Sequence, residues 1–78
     1  MFENLNQELS DYIKLMRFKK KMSQDDVAET LKISRNTYGT WENNPMSLSL
    51  ETLIKVFAVF EEDILYFFKS YVAKSNNK

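Results

Sequence analysis

Residues 23–42 read Ser-Gln-Asp-Asp-Val-Ala-Glu-Thr-Leu-Lys-Ile-Ser-Arg-Asn-Thr-Tyr-Gly-Thr-Trp-Glu. Each half of this stretch opens with a serine, which favours a helix N-terminus because its hydroxyl accepts a hydrogen bond from an otherwise unpaired backbone N–H group. Ser23 and Asp26 have the spacing of a capping box, although the usual partner is Glu or Gln. Apolar residues follow Ser23 at helical spacing. The stretch therefore predicts two short helices joined by a tight turn.

The second of these helices, expected to run from Ser34 to about Asn43, has two chemically different faces. At about 100° per residue, one face carries Arg35, Asn36, Gly39, Thr40 and Asn43, the other carries Tyr38 and Trp41, and Thr37 lies at the edge. An arginine can donate two hydrogen bonds to guanine, an asparagine can pair with adenine in the same way, and a threonine can contact a thymine methyl. The sequence therefore predicts that Arg35, Asn36 and Thr40 read base edges in duplex DNA.

The remainder of the chain predicts three further helices. The first is expected over about residues 5–20, the fourth after Ser49, and the last over about 62–74, where Glu61, Glu62 and Asp63 suit a helix N-terminus. Ala28 is small enough for a close helix crossing, and Ile33 is expected to fill the core from the turn. We therefore predict an all-α fold of five helices forming one domain over residues 1–78.

The composition excludes several kinds of chemistry. The chain contains no Cys and no His, so thiol and histidine catalysis and the usual zinc ligand sets are absent. No spacing indicates a pair of catalytic carboxylates. No apolar run approaches the roughly 18–20 residues that span a bilayer, and the N-terminus has no signal-peptide pattern. We expect a cytoplasmic protein that is not an enzyme, needs no cofactor or metal, and has no membrane partner.

The formal net charge is zero, but the charges are unevenly distributed. Residues 14–35 carry seven basic and three acidic side chains, a net charge of +4, whereas residues 1–13 carry −3 and residues 36–78 carry −1. A basic segment around the predicted helix pair is compatible with a nucleic-acid partner. Lys19, Lys20 and Lys21 are equally compatible with an ordinary solvated helix end, where the helix dipole favours cations.

Residues 13–68 resemble the helix-turn-helix domain shared by phage Cro and cI repressors and many small bacterial regulators. The resemblance is carried by Ile13-Lys-Leu-Met-Arg17, Met22-Ser-Gln-Asp-Asp-Val-Ala28, Ile33-Ser-Arg35, Trp41-Glu42-Asn43, Leu50-Glu-Thr-Leu-Ile-Lys55 and Ile64-Leu65. It implies a five-helix lambda-repressor-like fold with the helix-turn-helix at about residues 24–43. It also implies double-stranded DNA as partner, a near-palindromic operator, and a transcription regulator that is a repressor in the main hypothesis.

The resemblance assigns further roles. Gln24 and Asn43 match positions that bind the DNA backbone, and Thr37 and Gly39 are expected to lie close to it. Arg17 and Glu42 match an ion pair that holds the recognition helix, with Ala28, Ile33, Tyr38 and Trp41 as structural support. Two positions depart from the family: Lys32 stands in the turn where a glycine is usual, and the chain's only glycine, Gly39, lies within the recognition helix.

The C-terminal segment is unusually rich in apolar side chains. Some must complete the core, and others can form a two-fold interface, for which the candidates are Phe60, Tyr66, Phe67 and Tyr71. The alternative is that all of them feed the core of the monomer. A restriction–modification controller and an autoregulating antitoxin share the same DNA chemistry, and no small-molecule ligand is expected for any of them. The rival of another class is a protein-interaction module that keeps the fold without binding DNA, motivated by the neutral net charge, the missing turn glycine and the aromatic C-terminal segment.

Overall fold

Five α-helices and one short 3₁₀ helix form the structure, a computed structural model that describes residues 4–76, with side chains up to residue 74. The α-helices are α1 (Leu5–Lys19), α2 (Gln24–Leu31), α3 (Arg35–Asn43), α4 (Leu50–Val59) and α5 (Ile64–Asn76), with the 3₁₀ helix at Pro45–Ser47. No strand occurs among the described residues. The predicted all-α class and the helix-turn-helix at about 24–43 are confirmed.

Serine hydroxyls begin three of the helices. The side chains of Ser23, Ser34 and Ser49 accept hydrogen bonds from the backbone N–H groups of Asp26, Thr37 and Thr52. The Asp26 carboxylate in turn accepts from the Ser23 N–H at 2.8 Å, which completes the capping box. The starts of α2, α3 and α4 could therefore be predicted from the sequence, because each cap needs only residues three positions apart.

The start of α5 differs from the prediction. Of the three acids expected at its N-terminus, Asp63 alone accepts a backbone hydrogen bond of α5, from the Leu65 N–H at 2.9 Å. Glu61 instead belongs to the turn that ends α4, where its carboxylate pairs with Lys20 Nζ at 2.9 Å. The prediction that α5 begins near residue 62 was wrong by two residues because the turn after α4 occupies Glu61 and Glu62.

Three helix ends share one backbone motif. At the ends of α1, α2 and α4, a residue with positive φ follows the helix: Lys21 at 56°, Lys32 at 61° and Glu61 at 58°. The next N–H group bonds back to the carbonyl five residues earlier, for example Ile33 to Ala28 at 3.0 Å. This is the Schellman motif, which usually places glycine at the positive-φ position. Lys32 therefore adopts the backbone expected of the family's glycine, and the turn is not reshaped.

The core is shared by all five helices. Its fully buried side chains include Leu9 and Ile13 of α1, Val27 of α2 and Tyr38 of α3, and α4 and α5 complete it with Val56, Phe57, Ile64 and Phe67. Ala28 of α2 is buried in this core. Ile33, in the turn between α2 and α3, packs against the core. The core thus supports α3 from behind along most of its length.

Candidate nucleic-acid interface

Helix α3 presents its polar face to solvent. Arg35, Asn36, Thr37, Thr40 and Asn43 are all exposed. On the opposite face Tyr38 is completely buried and Trp41 is half-buried against the core. The helical-wheel division of α3 therefore matches its burial, and the side chains predicted to read bases are free to approach a partner.

Two threonine hydroxyls on α3 have defined hydrogen-bond partners. Thr37 Oγ1 accepts from Ser34 Oγ at 2.8 Å, which leaves the Thr37 hydroxyl proton available to an external acceptor such as a phosphate oxygen. Thr40 Oγ1 donates to the Asn36 carbonyl at 3.2 Å, so Thr40 presents acceptor lone pairs and a methyl group outward. The two threonines therefore offer different chemistry to a partner.

A buried carboxylate fixes α3 to the two helices before it. The Glu42 side chain is fully buried and accepts four hydrogen bonds, two from Arg17 of α1, one from Gln24 of α2 and one from Tyr38 of α3. Arg17 Nη1 also donates to the Met22 carbonyl at 3.0 Å, in the loop between α1 and α2. We call Arg17, Gln24, Tyr38 and Glu42 the Glu42 cluster. Among the described residues no buried side-chain polar atom lacks a partner.

The Glu42 cluster shifts the ionisation of two of its members. Burial by itself would raise the pKa of Glu42, but the hydrogen bonds from Arg17, Gln24 and Tyr38 and the charge of Arg17 outweigh burial and hold that pKa below its ordinary value. Burial, together with the negative charge of Glu42, raises the pKa of the Tyr38 hydroxyl far above its ordinary value. At neutral pH the cluster is therefore an ionised carboxylate held by a guanidinium, an amide and a neutral phenol.

Within the Glu42 cluster, Gln24 also lies close to Gly39 of α3. Its amide Nε2 donates to Glu42 Oε1 at 3.0 Å, which fixes the orientation of the amide at the start of α2. A Cβ atom added at Gly39 would lie 3.8 Å from Gln24 Oε1, an ordinary contact distance. Packing within the chain therefore does not require glycine at position 39, where the residue is partly exposed.

Two contacts at this surface were missed by the sequence reasoning. The Asp25 carboxylate lies 3.9 Å from Arg35 Nε and so joins the first turns of α2 and α3. At the other end of α3, the Asn6 side chain donates to the Asn43 carbonyl at 3.3 Å and accepts from the Met46 N–H at 3.0 Å. Neither pair has a local sequence signal, because the partners are brought together by the packing of different helices.

A comparison with known protein families assigns the chain to one of them. The sequence profile of the helix-turn-helix family matches residues 13–67. The chain belongs to this family. The matched type is that of Cro and cI, and this helix-turn-helix chain is accordingly a sequence-specific DNA-binding regulator. The comparison with curated proteins gave no match, and neither did the comparison with solved structures.

The predicted dimerisation residues of this helix-turn-helix chain need correction. Phe60 is completely buried, and Phe67 and Tyr71 are only 6% and 8% exposed. They belong to the core of the chain itself, because the ring of Phe67 packs between Tyr12, Phe57 and Tyr71. Tyr66 is the one candidate that remains on the surface, at 63% exposure. The aromatic composition of α5 therefore reflects its role in closing the core.

The helix-turn-helix chain has no helix within residues 4–76 whose length and hydropathy suit a membrane span.

Proposed function

We propose that this helix-turn-helix chain is a dimeric repressor that inserts α3 into the major groove of a near-palindromic operator. The observation that carries the proposal is that one face of α3 is exposed and polar, whereas the opposite face is buried. Arg35, Asn36 and Thr40 stand in solvent, while Tyr38 and Glu42 on the same helix are fully buried. A helix anchored along one face and polar along the other can enter the groove without moving its own support.

Each exposed side chain has a role that follows from its chemistry. Arg35 would pair with guanine and Asn36 with adenine, each through two hydrogen bonds, and a good bidentate pair of this kind contributes roughly 1–3 kcal/mol of discrimination. Thr40, whose hydroxyl donates to the Asn36 carbonyl, would meet a thymine methyl. The operator half-site should therefore combine guanine, adenine and thymine contacts.

The backbone contacts would set the position of α3 in the groove. Gln24 lies beside Gly39 and Glu42 of α3, Thr37 lies in its first turn, and Asn43 is exposed at its end. The fixed amide of Gln24 and the free hydroxyl proton of Thr37 would donate to phosphate oxygens, with Gly39 allowing the backbone to come close. Such contacts add affinity for any sequence and fix the register of the base-reading residues.

The dimer surface is proposed on α4 and the start of α5. Leu50, Ile54 and Leu65 are 61%, 48% and 65% exposed, and they line a groove between the two helices. Leu50 and Ile54 are one helical turn apart, and Tyr66 lies beside Leu65 on α5. A two-fold dimer through this surface buries apolar area that is otherwise exposed to water. It would present two recognition helices roughly 34 Å apart, the spacing of one DNA turn.

Repression needs only occupancy of the site. A dimer across two half-sites blocks other proteins from the same stretch of duplex, whereas activation needs an additional surface for the transcription machinery. A restriction–modification controller or an autoregulating antitoxin would use the same DNA chemistry, and the genes adjoining the operator would distinguish them.

The proposed function is tested by selection of binding sites from random duplexes, followed by titration of the selected duplex. The expected result is an inverted repeat with half-site centres one helical turn apart, bound by two chains. Arg35→Ala should remove the preference at one position of each half-site, and Gln24→Ala should weaken binding to all sequences. Selection of no sequence, or an unchanged preference in Arg35→Ala, would contradict the assignment.

A separate variant tests the dimer surface. Leu65→Glu places a charge on the exposed patch and should give a folded monomer in sedimentation, with weakened binding to the full operator. Lys69→Glu changes an exposed residue on the same helix and is the control. This variant should have the mass of the wild-type dimer in sedimentation. A wild-type chain that stays monomeric on and off the operator would contradict dimerisation.

A further inference from the structure

The ion pair between Asp25 and Arg35 places a carboxylate beside the proposed guanine-reading residue. Asp25 Oδ1 lies 3.9 Å from Arg35 Nε, and the two side chains are 72% and 66% exposed. We infer that Asp25 is a specificity-determining residue that orients Arg35 for guanine and weakens binding to DNA that lacks the correct base. The inference rests on the proposed function, since it assumes that α3 reads the major groove.

Arg35 lies in an unfavourable place for a cation. It is the first residue of α3, where the helix dipole is positive, and the first turn of α3 contains no acidic residue. Asp25 supplies the negative charge from α2. Its neighbour Asp26 is engaged in the capping box with Ser23, whereas Asp25 faces Arg35. The two adjacent acids therefore have different partners.

The atoms that meet leave the reading end of Arg35 free. Asp25 faces Nε, on the side of the guanidinium, so the two terminal amino groups can still donate together to O6 and N7 of guanine. A separation of 3.9 Å is longer than the roughly 2.7–2.9 Å of a charged hydrogen bond. The pair therefore directs the guanidinium without holding it tightly, and guanine can engage it without displacing Asp25.

The same carboxylate acts differently on DNA without the correct base. There Arg35 has no bidentate base partner, and its attraction to phosphates is reduced because Asp25 partly neutralises its charge. Asp25 itself repels the phosphates. Non-specific binding depends on such phosphate contacts, so the ion pair lowers the affinity for non-cognate duplexes more than that for the operator.

The test compares Asp25→Asn with the wild type on the selected operator and on a scrambled duplex of equal length. Glu29→Gln is the matched control, because Glu29 is exposed on the same helix and forms no ion pair among the described residues. In Asp25→Asn we expect non-cognate affinity to rise by up to about fivefold, the upper end of the range for an exposed ion pair. The operator affinity should stay constant or fall. The affinity for the scrambled duplex should also fall more steeply with salt concentration, by the amount expected for about one additional phosphate contact.

A double variant separates orientation of Arg35 from simple repulsion by a carboxylate. In the Arg35→Ala background, Asp25→Asn should leave the ratio of operator to non-cognate affinity unchanged. A change in that ratio as large as in the wild-type background would overturn the inference, as would equal effects of Asp25→Asn and Glu29→Gln. A wild-type chain that prefers no duplex would overturn the proposed function as well, so the two failures can be told apart.

Discussion

The Arg17 guanidinium and the Glu42 carboxylate form a two-point ion pair, with Nε 2.8 Å from Oε2 and Nη2 3.2 Å from Oε1. The Arg17 side chain is 11% exposed and that of Glu42 is not exposed at all. Because Tyr38 and Gln24 also donate to this carboxylate, one buried charge connects α1, α2 and α3. The orientation of α3 against α1 and α2 therefore depends on this contact.

Removing the charge of Glu42 should destabilise the fold severely. Glu42→Gln leaves Arg17 as a nearly buried cation without a counter-charge, at a cost of about 3–5 kcal/mol. That is a large part of the roughly 4–12 kcal/mol expected for a domain of this size. Urea denaturation followed by circular dichroism measures the loss. Glu51→Gln breaks an exposed i,i+4 pair with Lys55 and should cost under about 1 kcal/mol. Similar losses in the two variants would contradict the role of the Glu42 cluster.

The fold should lose stability in acid through Glu42. Its pKa is lowered in the folded state, so its stabilising contribution is complete above the unfolded pKa of about 4.3. That contribution is lost as the pH falls through the folded pKa. Carboxyl-carbon NMR should show a pKa of Glu42 below the ordinary glutamate value, together with a decline in the free energy of unfolding under pH 4. An ordinary pKa for Glu42 would contradict the prediction.

The fold should lose stability in alkali through Tyr38, which is the opposite pH dependence to that of Glu42. Its pKa is raised in the folded state by burial and by Glu42. Its contribution is therefore complete below the unfolded pKa of about 10 and is lost as the pH rises beyond it. Tyr38→Phe should cost about 1.5–3 kcal/mol at pH 7, because a bond to a charged group is removed, and should flatten the alkaline decline. Tyr12→Phe is the control for the loss at pH 7 only, since Tyr12 is less buried and lies outside the Glu42 cluster, whereas burial and Glu62 raise the pKa of Tyr12 as well.

Glycine at position 32 should stabilise the protein. Lys32 has φ 61° and ψ 43°, a left-handed conformation that strains any residue with a Cβ. Because glycine also loses more backbone entropy on folding, Lys32→Gly should raise the free energy of unfolding by only about 0.5–1 kcal/mol. Lys20→Gly, at φ −86°, has no strain to relieve and also loses the exposed ion pair with Glu61, so it should be destabilising. A gain at position 20 and none at position 32 would contradict the argument.

Position 39 should separate stability from DNA binding. Gly39→Ala removes a glycine from a helix interior, which contributes up to about 1 kcal/mol of stability. The added methyl meets Gln24 Oε1 at an ordinary distance, so no clash opposes the gain. If α3 approaches DNA closely at this point, operator affinity should fall while the melting temperature rises. A parallel rise in both quantities would contradict a close approach at Gly39.

Two observations weaken the rival interpretation as a protein-interaction module. Lys32 adopts the backbone of the glycine it replaces, so the missing turn glycine does not alter the motif. Of the aromatic side chains predicted for an interface, Phe60, Phe67 and Tyr71 are buried in the core. The neutral net charge remains, and the exposed patch on α4 and α5 suits a second copy of the chain as well as another protein.

Local patterns in the sequence determined the helices, their serine caps and the two faces of α3. These features depend on residues within one or two turns of one another, such as Ser23 with Asp26 or Tyr38 with Trp41, whose spacing along the chain can be recognised in the sequence. The helix ends were less readable, because the left-handed residues Lys21 and Glu61 lack the glycine that normally marks the turn.

Tertiary structure decided which side chains meet across helices. The resemblance implied the pair of Arg17 with Glu42, but the four-bond environment of Glu42, the contact of Asp25 with Arg35 and the burial of Phe60 depend on how separate helices pack. Periodicity locates a side chain on its own helix and carries no information on the neighbouring helix that faces it. That physical limit explains why the exposed face of α3 was predicted from the sequence and the burial of Phe60, Phe67 and Tyr71 was not.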